Sequence, residues 1–302
     1  MKQGTFKRVL LSKDLEKFRS EELTSLYNDP QMGPYLKELG VSVELVIEYL
    51  DIFLDISDDF HYCASCPGLD ECKKKNPRML VKPYIDGDYI ERKLTICPKM
   101  AQKRALERKF IVRDFNDEWV GKSIRNKKDF DITESRKAIV TRYLLALQKE
   151  SFSWIYLYGG TRLGKSYMTA AFIQTLLSSK EGTTCAFLDC STRIKELNDL
   201  SFTDKVAFND LLKQYMNVDY LVLDDFGNEY KNEYIRDTII YPLLSYRAKE
   251  NKPVYFTSHY SVNEIVTLYS ITAAGKIKAR QLGDLIKAMA QKEIHLEGVK
   301  VY

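Results

Sequence analysis

The stretch Tyr156–Met168 reads Tyr-Leu-Tyr-Gly-Gly-Thr-Arg-Leu-Gly-Lys-Ser-Tyr-Met, and it leaves few folds open. From Gly159 to Ser166 the order is Gly, four residues, then Gly-Lys-Ser. That spacing makes a phosphate-binding loop when it joins a buried strand to a helix. Both neighbours fit. Phe152–Tyr158 is aromatic and β-branched without Pro or Gly, which predicts a buried strand. Apolar residues at 168, 171, 172, 173, 176 and 177 then recur at helical spacing.

The chemistry follows from that context. Glycines let the backbone curl so that amide N–H groups cradle phosphate oxygens, and the helix N-terminus adds positive potential. Gly159, Gly160, Thr161, Gly164, Lys165, Ser166 and Tyr167 are the expected nucleotide contacts. Lys165 reaches the β- and γ-phosphates, and the Ser166 hydroxyl ligates Mg²⁺. A second carboxylate-bearing strand is needed for hydrolysis, and Tyr220–Gly227 (Tyr-Leu-Val-Leu-Asp-Asp-Phe-Gly) supplies it. Its apolar run suits a parallel strand buried on both faces. Asp224 is expected to join Ser166 around Mg²⁺, and Asp225 to polarise the attacking water.

From Phe152 onward the pattern alternates. Strands are expected at 152–158, 184–190, 218–225 and 253–259. Helices are expected to 178, at 203–216 and at 233–250, with a helical remainder. Alternation of this kind gives an α/β fold, a parallel sheet flanked by helices. Residues 12–56 also read as helical. Asp131–Leu147 restarts a helix, with Thr133 and Glu134 at its beginning.

Net charge is +4, and its distribution says more. Residues 101–150 hold 13 Lys/Arg against 8 Asp/Glu, 13 − 8 = +5. This basic excess reads as a solvated linker or as a contact for nucleic acid or an acidic partner. Met1–Phe18 lacks the apolar core of a signal peptide, and no run is long enough to span a membrane. A cytoplasmic protein is therefore expected. In that compartment the six cysteines suggest a metal or free thiols rather than disulfides.

Cys63-x-x-Cys66-Pro-Gly looks like a zinc knuckle, and Cys72 and Cys97 can complete a tetrahedral Zn²⁺ site. His61 is an alternative ligand. Cys185 and Cys190 fall in the expected strand 184–190 and read as buried free thiols.

Taken together, Tyr156–Phe172, Cys185–Cys190, Tyr220–Tyr230, Tyr234–Ser261 and Lys276–Gly298 resemble the AAA+ ATPases of the DnaC/DnaI type, the bacterial replicative helicase loaders. The resemblance runs from about Asp131 to the end, and the cysteine module resembles the zinc-binding, helicase-binding domain of the DnaI-type members. It implies a helical zinc-binding domain at 1–105, a basic linker at 106–130 and an AAA+ ATPase domain at 131–302. It further implies binding to the hexameric replicative helicase and to single-stranded DNA, and contact with other primosome proteins. The protein would be a monomer alone and a multimer on the helicase ring, with ATP, Mg²⁺ and Zn²⁺ as cofactors.

Three features depart from the family pattern. His259 stands where relatives carry the asparagine that reads the γ-phosphate. Arg280 matches the first arginine of a late-helix motif, while Gly283 and Asp284 occupy its acid and arginine-finger positions. Lys278 or Lys287 would replace the finger if the helix aligns differently. Relatives place a zinc-binding histidine where this chain has none between Cys66 and Cys97, which leaves Cys72 as the fourth ligand. Asp225, His259 and Arg280 are thus the expected catalytic residues. Two other readings share the core: a transposition-helper ATPase of the IstB type, which lacks the cysteine module, and a nucleotide-gated helicase adaptor with little hydrolysis.

Overall fold

The computed structural model describes residues 3–126, 139–141, 143–146, 154–290 and 293–298, with side chains from residue 14 onward. The chain forms two compact units, Met1–Gln102 and Lys103–Tyr302. The expected helix start at Thr133 and Glu134 lies outside the described residues.

The first unit packs four helices against a hairpin. The helices are α1 (Gln3–Asn28), α2 (Met32–Leu39), α3 (Val43–Glu48) and α4 (Leu50–Ala64). α2 stops at Gly40, whose φ of 65° is the left-handed conformation that glycine adopts without steric cost. Ser42 then caps α3 by accepting a bond from the Leu45 amide. Strands β1 (Met79–Asp86) and β2 (Tyr89–Ile96) pair antiparallel. Met32, Leu36, Val46, Phe53 and Ile56 form the core with Val81 and Ile90 of the hairpin. A buried ion pair links the layers. Lys74 Nζ lies 2.9 Å from Asp59 Oδ1, and the other carboxylate oxygen accepts from the Val81 amide at 2.7 Å.

Helix α5 (Pro98–Glu107) is followed by β3 (Phe110–Arg113). This corrects the expected linker at 106–130. β3 lies parallel to β5 (Cys185–Asp189) and forms one edge of the sheet. Residues 127–130 lie outside the described residues. Four residues of mixed character carry too short a pattern to announce a strand, and the charges around them suggested solvent.

Helix α6 is helical at 139–141 and 143–146. Then come β4 (Ile155–Gly159), α7 (Lys165–Ser178), β5, α8 (Cys190–Thr203), α9 (Lys205–Asn217) and β6 (Tyr220–Phe226). A helical run follows: α10 (Glu233–Ile235), a π-turn (Arg236–Ile240) and α11 (Tyr241–Lys249). β7 (Val254–Ser258), α12 (Val262–Leu268), α13 (Ala273–Ala290) and β8 (Glu293–Leu296) complete the unit. The sheet order is β3-β5-β6-β7-β4-β8, and its recorded pairs are all parallel. Alternate residues of β6 serve opposite cores. Leu221 and Leu223 face one, Tyr220 and Val222 the other, as two-sided burial requires.

Three further expectations need correction. Where one helix was expected at 203–216, α8 already runs to Thr203 and α9 restarts at once. Asp204 makes the break, its carboxylate accepting from the Val206 and Ala207 amides at 3.0 Å each. The remainder is not wholly helical, because β8 pairs with β4. Cys190 opens α8 rather than closing a strand, although both it and Cys185 are fully buried thiols.

One buried cation knits the far end of the sheet. Arg247 is fully buried and donates to the carbonyls of Tyr215, Met216, Val218, Asp219 and Pro253. Those carbonyls lie at the end of α9, just before β6 and just before β7. Arg247→Met keeps much of the volume but leaves them without that donor. An unsatisfied buried acceptor costs about 1–3 kcal/mol, so a loss of at least 2 kcal/mol in unfolding free energy is expected, read as a lower denaturation midpoint.

Candidate nucleotide-binding site

The site forms where β4, β6 and β7 end side by side, at the carboxyl edge of the sheet. The chain turns out of β4 at Gly159, whose φ is 148° and whose missing Cβ would stand 2.3 Å from the Leu296 carbonyl oxygen. Only glycine fits both demands. Gly164 (φ 86°) then turns the loop into α7, so the loop amides lead into the helix N-terminus.

Lys165 is buried rather than solvent-facing. It is 4% exposed, and its ammonium donates to the carbonyls of Gly159 at 2.9 Å and Gly160 at 2.7 Å. Burial pushes its pKa down, while Asp225 and Asp224 act in the opposite direction. The loop holds its own lysine close to where phosphate charge would sit.

Asp224 is buried, and burial pushes its carboxyl up to about 6. Hydrogen bonds from Thr257 and Ser166 oppose that rise. The Ser166 hydroxyl therefore lies within hydrogen-bonding reach of Asp224. Sequence reasoning missed Thr257 in this role. Its hydroxyl donates to Asp224 Oδ1 and accepts from the Asp225 amide at 3.0 Å. Only the neighbouring strand β7 brings it there.

Asp225 takes a φ of 51°, a left-handed conformation uncommon outside glycine. The β6–β7 register shifts between Leu223 and Phe226, so the backbone bulges at the acid pair. Bulges of this kind re-aim side chains beside sites. Asp225 Oδ1 lies 3.5 Å from His259 Nε2, and both line the hollow formed by Thr161–Tyr167 and Trp119. Trp119 is a second residue that sequence reasoning missed.

Arg280 and Asp284 stand elsewhere, on the exposed side of α13. Lys278 bonds Asp237 at 2.8 Å, and Lys287 bonds Asn263 Oδ1 at 2.6 Å. None of these four lines the hollow. Gly283 has a packing reason for its identity, since a Cβ there would stand 2.3 Å from Val266 Cγ2 of α12.

The cysteine module was expected to gather four ligands. Among the described residues, no group of three or more His, Cys, Asp or Glu side chains is placed to hold a metal ion. His61 instead bonds Asp29 at 2.7 Å. The thiols nonetheless share one neighbourhood. Burial raises the Cys63 thiol, and Cys66 and Cys72 are near enough to raise it further. The Gly68 amide and Lys99 hold Cys66 down. Arg78 donates its amide to Cys72 Sγ, and Met100 to Cys97 Sγ, at 3.4 Å each. Cys97 in turn donates its amide to the Arg78 carbonyl at 3.0 Å.

Residues 134–274 match the family described as the bacterial DnaA ATPase domain. The chain is 23% identical to the replicative helicase loader DnaI of Bacillus subtilis (strain 168), over 98% of this chain and 96% of that protein. A crystal structure named as a primosome component from Streptococcus pyogenes serotype M3 aligns with a TM-score of 0.51 at 25% identity. It covers 66% of this chain and 98% of its own. The crystal structure of DnaI gives a TM-score of 0.53 at 23% identity, over 65% of this chain and 99% of its own. The parallel six-stranded sheet with its flanking helices is the AAA+ ATPase fold. No helix among the described residues is long and apolar enough to cross a membrane.

Proposed function

We propose that this chain, a DnaI/DnaC-type AAA+ protein, uses ATP to place the hexameric replicative helicase on single-stranded DNA. The observation that carries the reading is the end-to-end match to a replicative helicase loader, which takes in the first unit as well as the ATPase unit. A likeness to the ATPase domain alone would leave the task open.

The roles follow from position. The loop amides from Thr161 to Ser166 cradle the phosphates. Lys165 exchanges its two loop carbonyls for phosphate oxygens. Ser166 and Asp224 would hold Mg²⁺, which would supply positive charge to offset that of the phosphates. Asp225 and His259, side by side in the hollow, orient the attacking water and read the γ-phosphate. Arg280, on the exposed side of α13, is free to act toward a neighbouring subunit. The first unit grips the helicase, and basic residues of 101–150 contribute to the DNA contact. Recovery of the hexameric helicase with the tagged protein, dependent on ATP, supports this; recovery of no helicase under any nucleotide condition rejects it.

The cysteine module has the donor set for structural zinc, with Cys63, Cys66, Cys72 and Cys97 as ligands. Structural zinc contributes directly to folding. Freshly purified protein should contain about one zinc per chain. Cys97→Ser should release it and melt the first unit at lower temperature while ATP affinity is unchanged. Metal analysis that finds no zinc removes this part of the account.

Asp284 makes hydrolysis by the isolated protein slow. An arginine finger is worth about 10³–10⁵ in rate, and a carboxylate at its position repels the γ-phosphate. Asp284→Arg should raise the steady-state rate more at higher protein concentration, because a finger acts across a subunit contact. Should the rate stay flat while Lys278→Ala or Lys287→Ala slows it, a lysine supplies the charge instead.

A further inference from the structure

We infer that Trp119 forms the base-recognition wall of the nucleotide site, with a purine ring stacking on its indole. The inference rests on the nucleotide reading above and adds what the phosphate loop cannot supply, a surface on which the base is held.

The residues lining the hollow fall into two chemical sets. Thr161, Arg162, Gly164, Lys165, Ser166, Asp225 and His259 offer amides, charges and hydrogen bonds, which suit phosphate and metal. Trp119, Leu163 and Tyr167 offer flat or apolar surface, which suits a base. The Trp119 ring sits 5.4 Å from the Tyr167 ring at 83°, so it stands against the first turn of α7. Behind it, Phe115 stacks at 6.4 Å and 12°. The indole is therefore backed by one ring and flanked by another.

What fixes Trp119 is equally specific. α7 is buried along much of its length, yet it carries Gln174 and Thr175 at consecutive buried positions. Buried polar side chains are costly unless bonded. Both of these bond the segment that carries Trp119. Gln174 Nε2 donates to the Trp119 carbonyl at 2.9 Å, and Oε1 accepts from the Gly121 amide at 2.7 Å. Thr175 Oγ1 accepts from the Ile124 amide at 3.0 Å and lies 3.0 Å from Ser123 Oγ. The helix that begins at the phosphate loop thus straps residues 119–124 to its own flank. A wall held in place before the ligand arrives loses little entropy on binding.

Stacking on an aromatic side chain is worth about 1–3 kcal/mol per base by alanine substitution, roughly 5- to 150-fold in affinity. The chain contains two tryptophans. Trp154 is fully buried in the core with its indole N–H on the Lys252 carbonyl, so a nucleotide-dependent change in fluorescence reports Trp119.

The test titrates the full-length protein with ATP and with inorganic tripolyphosphate, reading intrinsic fluorescence and calorimetric heat. ATP should alter the fluorescence of the wild type, and tripolyphosphate should alter it far less. Trp119→Phe should lose that signal yet keep ATP affinity within about threefold, since a phenyl ring still stacks. Trp119→Ala should weaken ATP about tenfold and leave tripolyphosphate unchanged. If Trp119→Ala does not fold, the wild type and Trp119→Phe decide by the fluorescence signal and the affinity ratio of the two ligands. ATP binding with no indole signal, or equal loss of both ligands in Trp119→Ala, overturns the inference alone. Wild-type protein that binds neither ligand overturns the nucleotide reading beneath it.

Discussion

Lys165→Ala is expected to abolish measurable ATP–Mg²⁺ binding, a loss of at least about a hundredfold, with the sheet intact. A hydrogen bond to a charged group contributes about 1.5–3 kcal/mol, and this ammonium meets two phosphate groups at once. The fold should survive for a reason visible in the ligand-free site. Lys165 is nearly buried, and burial lowers its pKa, so its charge is held there at a cost to the folded state. Its partners are loop carbonyls beside an open hollow, which water can reach once the side chain is gone. Calorimetry for ATP and a thermal melt without nucleotide check both halves. Wild-type ATP affinity in this variant would mean that the loop is not the site.

Asp224→Asn should stop hydrolysis, by at least about a hundredfold in single turnover, and should raise the melting temperature of the ligand-free protein at neutral pH. The first effect follows from losing a carboxylate on Mg²⁺. The second follows from linkage. Burial raises the Asp224 pKa from 3.8 to about 6, so the folded state binds the proton more tightly than the unfolded state. Stability therefore falls as pH rises from about 4 to about 6 and stays at the lower level above that. Asparagine carries no charge and removes that cost, on the order of 2–3 kcal/mol. The stability difference between variant and wild type should thus shrink below pH 6. Unchanged hydrolysis would reassign the metal ligand, and a variant less stable than wild type at neutral pH would refute the linkage argument. A site that trades stability for function behaves in this way.

Much of this was legible in the sequence because it is local. The turn at Gly159 and the helix after Gly164 are set by residues within the motif itself. The run Tyr220–Leu223 announces a strand buried on both faces. Other parts depend on neighbours distant in the chain. Thr257 sits in an apolar strand, and only its pairing with β6 shows that its hydroxyl serves Asp224. Trp119 lies among charges that resemble a linker, and its place at the site depends on Gln174 and Thr175 more than fifty residues away. β3 and β8 are four residues each, too short for periodicity to register. The acid pair was visible, but the positive φ of Asp225 was not, since nothing in Asp-Asp-Phe-Gly specifies which residue turns.

The α13 surface is a different case. Gly283 is explained by its contact with Val266, whereas Asp284 and Arg280 are exposed.

The central claim is that ATP held by this site drives placement of a ring-shaped helicase on DNA. The direct measurement is transfer of the hexameric replicative helicase from the same organism onto closed circular single-stranded DNA, which offers no end for threading. The account predicts that wild-type protein with ATP–Mg²⁺ raises the amount of helicase bound to the circle, and that Lys165→Ala does not. Helicase that loads equally well without the protein, or equally well with Lys165→Ala, would contradict it.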